Sequence, residues 1–347
     1  MIDFTECPVR RKTYAGANGS KISVVYNDNI YMLKFPAIAS KNQVMSYSNS
    51  CISEYLGCKV FESVGIPVQE VLLGTYRTPK GTEKTVVACR DFTSPGVVLQ
   101  DFASLKNQIV DSVRNGYGTE LSDIQDTFEQ QTAIDAAILK ERFWDMFIVD
   151  ALIGNWDRHN GNWGFLYDTQ TDEMTLAPVF DCGSCLFPQA DEEKMNEILS
   201  DRNAMNLRIF NQPLSAIMQD GKKINYFAFI SSLQNQDCNQ ALKRILPRVD
   251  LAEICRIIDE TPGLSDIQKK FFAGMLSARK ERILDFSFKK LKKLERSGKE
   301  QVRLKCNRSV RLIHLSIFWK YSIMEEKSKG ADQYAVFQRK EILCDPE

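Results

Sequence analysis

Apolar positions alternate with polar ones through the first quarter of the chain and recur at helical spacing through most of the rest. Ile22-Ser23-Val24-Val25-Tyr26 and Ile30-Tyr31-Met32-Leu33-Lys34-Phe35 flank an Asn27-Asp28-Asn29 turn, which predicts a hairpin from Lys21 to Phe35 that Pro36 ends. A helix is expected over Ser46 to Ser63, with Ile52, Tyr55, Leu56, Val60 and Phe61 on its apolar face and Gly65 as its stop. Strands follow near Val68–Tyr76 and Thr85–Phe92, and from about Ser94 the pattern turns helical. Ala133–Ile153 is apolar at helical spacing, and further helices run between Pro213 and Arg296, the last from Ser265 to Arg296. A second hairpin interrupts this helical region. Trp163-Gly164-Phe165-Leu166-Tyr167 and Met174 to Phe180 read as strands joined by a polar turn over Asp168–Asp172. The pattern predicts an α+β fold of two unequal lobes with a cleft between them. The smaller lobe takes residues 1–93, the helical lobe 94–296, and a tail 297–347.

The second hairpin gives the chain its chemistry. Asp157 and Asn162 lie just before it in Gly154-Asn155-Trp156-Asp157-Arg158-His159-Asn160-Gly161-Asn162, and Asp181 lies just after it in Val179-Phe180-Asp181-Cys182-Gly183. A hairpin closing at its base sets Asn162 beside Asp181. A phosphoryl-transfer site needs one carboxylate to orient the attacking hydroxyl, here Asp157, and an amide oxygen with a second carboxylate to hold Mg²⁺, here Asn162 and Asp181. Two protein oxygens, with water and phosphate completing the shell, suit Mg²⁺ better than a cage made wholly of protein. His159 is expected to pin the loop by hydrogen bonds rather than to move a proton.

Composition removes other classes. The chain has 347 residues and two histidines, His159 and His314, too few for zinc sites built on several imidazoles. Lys+Arg and Asp+Glu both number 45, so net charge argues for neither nucleic acid nor an acidic partner. The ten cysteines are scattered, which fits reduced thiols and a cytoplasmic protein. Signal-less secretion stays open. There is no signal-peptide pattern and no apolar run long enough to span a bilayer. Cys182 and Cys185 make a single C-x-x-C without a second pair or a nearby histidine. They are read as small residues packed beside the metal loop.

The order of these landmarks from Tyr14 to Leu294 resembles the HipA-like serine/threonine kinases. Tyr14-Ala15-Gly16-Ala17-Asn18-Gly19-Ser20-Lys21 looks like the family's phosphate loop, although glycines there would also serve an ordinary hairpin turn. Lys34 looks like the phosphate-binding lysine and Glu54 in Ser53-Glu54-Tyr55 like its acidic partner. Val86 to Phe92, with Ala88, Cys89 and Arg90, is similar to the strand leading into an adenine-holding hinge. The chain starts where an extra amino-terminal subdomain of full-length HipA proteins would end, so the resemblance is to the compact CtkA-type branch.

The resemblance implies ATP and Mg²⁺ as cofactors and a protein Ser or Thr hydroxyl as acceptor. It also implies autophosphorylation near Thr13, Ser20 or Ser23, and a HipB-like antitoxin or small accessory subunit as a possible partner. Asp-Arg-His-x-x-Asn is also similar to the catalytic loop of phosphoinositide kinases. A lipid or small-molecule kinase therefore remains an alternative, as does a kinase-shaped binding protein without turnover. The tail begins with ten Lys/Arg between Lys289 and Arg311 against Glu295 and Glu300, and continues into an apolar patch from Leu312. It reads either as a solvated helix end or as a docking helix for a partner or anionic surface.

Overall fold

The structure is a computed structural model and describes residues 1–14, 20–36, 48–109 and 115–297. Gly16, Ala17, Asn18 and Gly19 of the expected phosphate loop lie outside the described residues, as does nearly all of the basic and apolar tail. The elements of the fold belong to one compact unit, Met1–Lys289, and a second unit begins at Lys290.

The small lobe is a six-stranded sheet. Its strands are β1 (Ile2–Asp3), β2 (Val9–Arg10), β3 (Lys21–Tyr26), β4 (Asn29–Lys34), β5 (Val71–Arg77) and β6 (Glu83–Arg90), in the order β1-β5-β6-β4-β3-β2. Asn27 and Asp28 carry φ of 46° and 60°. Both central turn residues are therefore left-handed, as a tight two-residue hairpin requires. Alternation then sends Val24, Tyr31, Leu33, Val86 and Ala88 to one face, where they bury Phe4. The opposite face receives α1 (Ser50–Ser63), whose Leu56, Val60 and Phe61 pack with Val71, Val87 and Cys89. The helix starts four residues later than the pattern suggests, because Ser48 and Asn49 form a turn ahead of it.

Helix is expected from about Ser94, but the chain there forms a strand, β7 (Val97–Asp101). It pairs with β8 (Gly164–Asp168), which pairs with β9 (Glu173–Leu176), making a three-stranded antiparallel sheet in the larger lobe. A five-residue run has too little periodicity of its own to separate strand from helix, and its partner lies far along the chain. Helices α2 (Phe102–Ile109), α3 (Leu121–Gln130) and α4 (Ala136–Ile153) follow β7 in sequence. From Phe143 to Ile153 every residue of α4 is buried, so this helix forms the axis of the large lobe. Around it stand α5 (Glu192–Ser200), α6 (Arg202–Asn206), α7 (Tyr226–Ser232), α8 (Gln236–Ile245), α9 (Leu251–Glu260) and α10 (Asp266–Arg279). One apolar core runs from α1 through α4 to α10, so the two lobes share a floor beneath the cleft.

Candidate active site

Helix α4 ends at Gly154, and the loop that follows is built on Asn155, which is fully buried. Its N–H donates to the Asp150 carbonyl at 2.9 Å and its Nδ2 to the Asp150 carboxylate at 2.9 Å. Its own carbonyl accepts from the Tyr226 hydroxyl at 2.6 Å, and its Oδ1 accepts from the Asp157 N–H at 3.1 Å. The turn beyond is closed by His159 N–H on the Asp157 carbonyl at 2.8 Å and by Asn162 Nδ2 on the same carbonyl at 2.8 Å. The Asn162 amide nitrogen donates there, which fixes the side chain and leaves its acceptor, Oδ1, available. His159 Nδ1 accepts from the Gly161 N–H at 3.0 Å, so the ring stiffens the loop.

Arg158 ties this loop to the second motif. Its Nε and Nη2 hold the buried Asp150 carboxylate at 3.0 and 3.3 Å. Its Nη1 donates to the Asn162 carbonyl at 2.8 Å, to the Phe180 carbonyl and to the Asp181 carbonyl at 3.4 Å. A guanidinium suits this task because its rigid fork serves several acceptors at once. The β8–β9 hairpin contributes less than its sequence promises. The returning strand stops at Leu176, and Val179 exchanges backbone hydrogen bonds with Pro67 and Gln69 instead of continuing the ladder. Arg158, rather than the hairpin alone, brings the Asn162 and Asp181 backbones together.

Asp181 has a left-handed φ of 59° and a side chain 43% exposed to the cleft. Lys34 Nζ stands between it and Glu54, 3.0 Å from Asp181 Oδ1 and 2.9 Å from Glu54 Oε2. A glutamate on an amphipathic helix usually faces water. Here Glu54 is 1% exposed, and its other oxygen accepts the Cys182 N–H at 3.0 Å. Helix α1 approaches the metal loop this closely because position 57 has no side chain. A Cβ on Gly57 would come within 2.7 Å of Cys182 Cβ and 2.8 Å of Cys185 Sγ. The two cysteines are fully buried packing residues at that contact.

Charge separates the carboxylates. Burial raises Asp157 above the usual aspartate range, the His159 side chain opposes this, and the charge of Asp181 adds to it. Burial would also raise Asp181, but the Lys34 ammonium holds it below that range. Burial works against the charged form of Lys34, and Asp181 with Glu54 overrules it, keeping the ammonium protonated well above the ordinary lysine value. Lys21, opposite Lys34 in the β3–β4 register, is lowered by burial and then by the neighbouring Lys34 charge.

The strand leading to the expected hinge is held on both sides. Ala88 and Cys89 lie within the ladders of a central strand, with β4 on one side and β5 on the other. The Arg90 N–H goes to the Glu70 carbonyl at 2.8 Å, and its carbonyl accepts from Gln69 Nε2 at 2.9 Å. The backbone groups of these three residues are engaged by the sheet and its edge. Cys89 contributes a wall instead, its buried thiol lying in the field of Lys34, Glu54 and Asp181. The strand ends at Arg90, although the Asp91 N–H still donates to the Ile30 carbonyl at 2.9 Å and the Thr93 N–H to Asp91 Oδ1 at 3.0 Å. Asp91 accepts from the Tyr14 hydroxyl at 2.8 Å and from Thr93, and pairs with Lys12. Tyr14 opens the expected phosphate loop, so the start of that loop is strapped to the 91–93 segment. A hollow of about 360 Å³ opens beside this segment among Gln69, Arg90, Phe92, Thr93 and Pro178, and neither Asp157 nor Asp181 lines it. Ser23 is 1% exposed beside Tyr14, whereas Thr13 and Ser20 are exposed.

Sequence reasoning also misses the parts played by Arg158 and Asp150. A lone carboxylate in Phe147-Ile148-Val149-Asp150-Ala151-Leu152-Ile153 is the available signal, since a buried charge requires a partner. The donor set at the cleft floor is one amide oxygen and one partly exposed carboxylate. Both are hard oxygens, which fits Mg²⁺ with further shell positions left for phosphate and water. Among the described residues no three His, Cys, Asp or Glu side chains gather into a fuller cage. Among those residues, too, no helix is long and apolar enough to cross a membrane.

Residues 10–252 match the profile of the HipA-like C-terminal domain family. The serine/threonine-protein kinase CtkA of Helicobacter pylori strain J99 is 48% identical over 286 residues, covering 82% of this chain and 86% of the relative. A crystal structure of a Helicobacter pylori proinflammatory kinase CtkA superposes with a TM-score of 0.80 at 47% identity, over 84% of this chain and 98% of that one. HipA of Shewanella oneidensis MR-1, solved with HipB and operator DNA, overlaps far more loosely. Its TM-score is 0.49 at 16% identity, over 80% of this chain and 67% of that one, a level at which neither its protein partner nor its DNA carries over.

Proposed function

The chain belongs to the HipA-like C-terminal domain family and is a serine/threonine protein kinase, and we propose that it transfers the γ-phosphoryl group of ATP, with Mg²⁺, to a protein hydroxyl. One observation carries the reading: Lys34 Nζ is held 2.9 Å from Glu54 and 3.0 Å from Asp181. That arrangement presents a protonated ammonium as a point charge for phosphates and keeps one carboxylate ionised beside it.

Asp157 accepts the hydrogen bond of the acceptor Ser or Thr and takes its proton as the new O–P bond forms and the bond to ADP breaks. Asn162 Oδ1 and the Asp181 carboxylate would hold Mg²⁺, which when bound neutralises charge on the phosphates. Arg158 fixes the distance between the two motifs, so most of the rate enhancement comes from positioning and preorganised charge. Autophosphorylation belongs to the same proposal, at Thr13 or Ser20 rather than at the buried Ser23.

The test is incubation of the full chain with γ-labelled ATP, Mg²⁺, a generic protein substrate and a lipid panel. Label on Ser or Thr of protein is expected. Label on lipid alone would overturn the choice of acceptor.

A further inference from the structure

Asp157 and Asn162 flank Asn160, whose side chain the mechanism above leaves unused. Arg158 holds the loop from one side, and on another the loop rests on the start of α2. The Phe102 N–H donates to the Trp163 carbonyl at 2.9 Å and the Ala103 N–H to the Asn160 carbonyl at 3.0 Å. Both belong to the N–H groups that a helix leaves without intrahelical partners at its start. A third, that of Ser104, is capped by Asp101 Oδ1 at 2.8 Å.

From this footing the Asn160 side chain reaches a separate stretch of chain, the turn before α3. Its Nδ2 donates to the carbonyls of Gly116 and Gly118, both at 2.8 Å. Asn160 is fully buried, and its Oδ1 has no hydrogen-bond partner among the described residues. The nitrogen end of the amide, with each of its two hydrogens on a carbonyl, is therefore the end that grips. The turn comes this close because position 116 has no side chain: a Cβ on Gly116 would fall 1.9 Å from the Ala103 carbonyl oxygen. Between the two anchored carbonyls Tyr117 lies against the loop, and a Cβ on Gly161 would fall 2.8 Å from its ring. The Gly118 carbonyl also accepts from the fully buried Lys106 Nζ at 3.0 Å, which gives the turn a support of its own.

We propose that Asn160 is a positioning residue for phosphoryl transfer: by fastening the middle of the catalytic loop to α2 and to the 116–118 turn, it sets where Asp157 and Asn162 stand. The inference rests on the kinase reading and adds a residue that touches neither substrate nor metal. A reacting group displaced by about 1 Å can cost on the order of 10²-fold in rate. Lys34 and Asp181 lie on other segments, so loss of the fastening falls on kcat rather than on the KM for ATP.

Gln131 supplies a matched control. It too is a buried amide whose nitrogen donates to two carbonyls, those of Phe128 at 3.2 Å and Ile134 at 2.6 Å, and its side-chain hydrogen bonds stay within residues 128–134. The experiment measures kcat per folded molecule, the KM for ATP and the urea midpoint for the full chain as parent, Asn160→Ala, Asn160→Asp and Gln131→Ala. Alanine removes the donor, whereas aspartate keeps the volume and offers at most one hydrogen where two are needed. Both Asn160 variants are expected to lose about tenfold or more in kcat, with the KM for ATP within about threefold of the parent's. Gln131→Ala should lower the urea midpoint and keep kcat. Parental kcat in folded Asn160→Asp would reduce Asn160 to packing and overturn the proposal. So would a Gln131→Ala variant that loses kcat as steeply at the same urea midpoint. Should the alanine variant not fold, the aspartate variant carries the test. A folded parent that transfers no phosphate removes the kinase reading itself, which a null result in the variants alone leaves standing.

Discussion

The Asn155–Asn162 loop and the 91–93 hinge border one cleft but are held by different physics. The loop is anchored from inside by the Asp150–Arg158 pair, with Asn155 and Tyr226 completing a network that water barely reaches. The 91–93 segment is anchored by Lys12 and Tyr14 on Asp91, a pair with its cation at the surface: the Lys12 side chain is 40% exposed and that of Asp91 4%. Buried charge is costly to disrupt because a lost partner strands an ion in low dielectric, whereas a surface tether exchanges its partner for water. On the proposed reading, the catalytic loop is the part held by buried charge, and the nucleotide-facing segment is the part tethered by a pair with one end in water.

The largest effect should therefore come from Arg158→Ala. It leaves Asp150 buried without a cation and should cost about 3–5 kcal/mol of stability, read from urea denaturation. A loss under about 2 kcal/mol would place the loop in the same class as the hinge and erase the contrast.

Next comes pH. Asp157 works as a base only when ionised, and burial raises its pKa, so activity is lost as pH falls through that raised value. Asp181 is held below the ordinary range and Lys34 well above it, so neither titrates in that window. The acidic limb of the kcat/KM profile should thus lie at higher pH than an unperturbed aspartate would give. A limb at or below the ordinary aspartate range would deny Asp157 its role.

The smallest effect belongs to the hinge. Tyr14→Phe removes one hydroxyl from Asp91 and should cost about 1.5–2 kcal/mol of stability, while shifting the KM for ATP several-fold. A stability loss matching that of Arg158→Ala would show that the hinge, too, is held from within.

The same contrast explains what is legible in the sequence and what is not. Asp157, Asn162 and Asp181 stand out as candidates because kinase-type chemistry demands those side chains at short spacing around a hairpin. The fold brings their segments together, with Lys34 and Glu54 in reach. The β3–β4 hairpin is legible from alternation and its Asn27-Asp28 turn. What escapes are long-range pairings. β7 looks helical because its strand partner lies beyond α4 in sequence. Arg158 is a letter in a motif, while its work as a clasp depends on Asp150, Phe180 and Asp181 arriving at one point.

The central claim is that Asp157 and Asp181 act in separate roles on one transferred phosphoryl group. Its most direct test is single-turnover transfer from γ-labelled ATP to protein by the parent, Asp157→Asn and Asp181→Asn, each shown to be folded by its urea midpoint. Both substitutions should slow transfer by about 10²-fold or more, with excess Mg²⁺ partly restoring Asp181→Asn and leaving Asp157→Asn unchanged. Near-parental transfer by either folded variant would contradict the account.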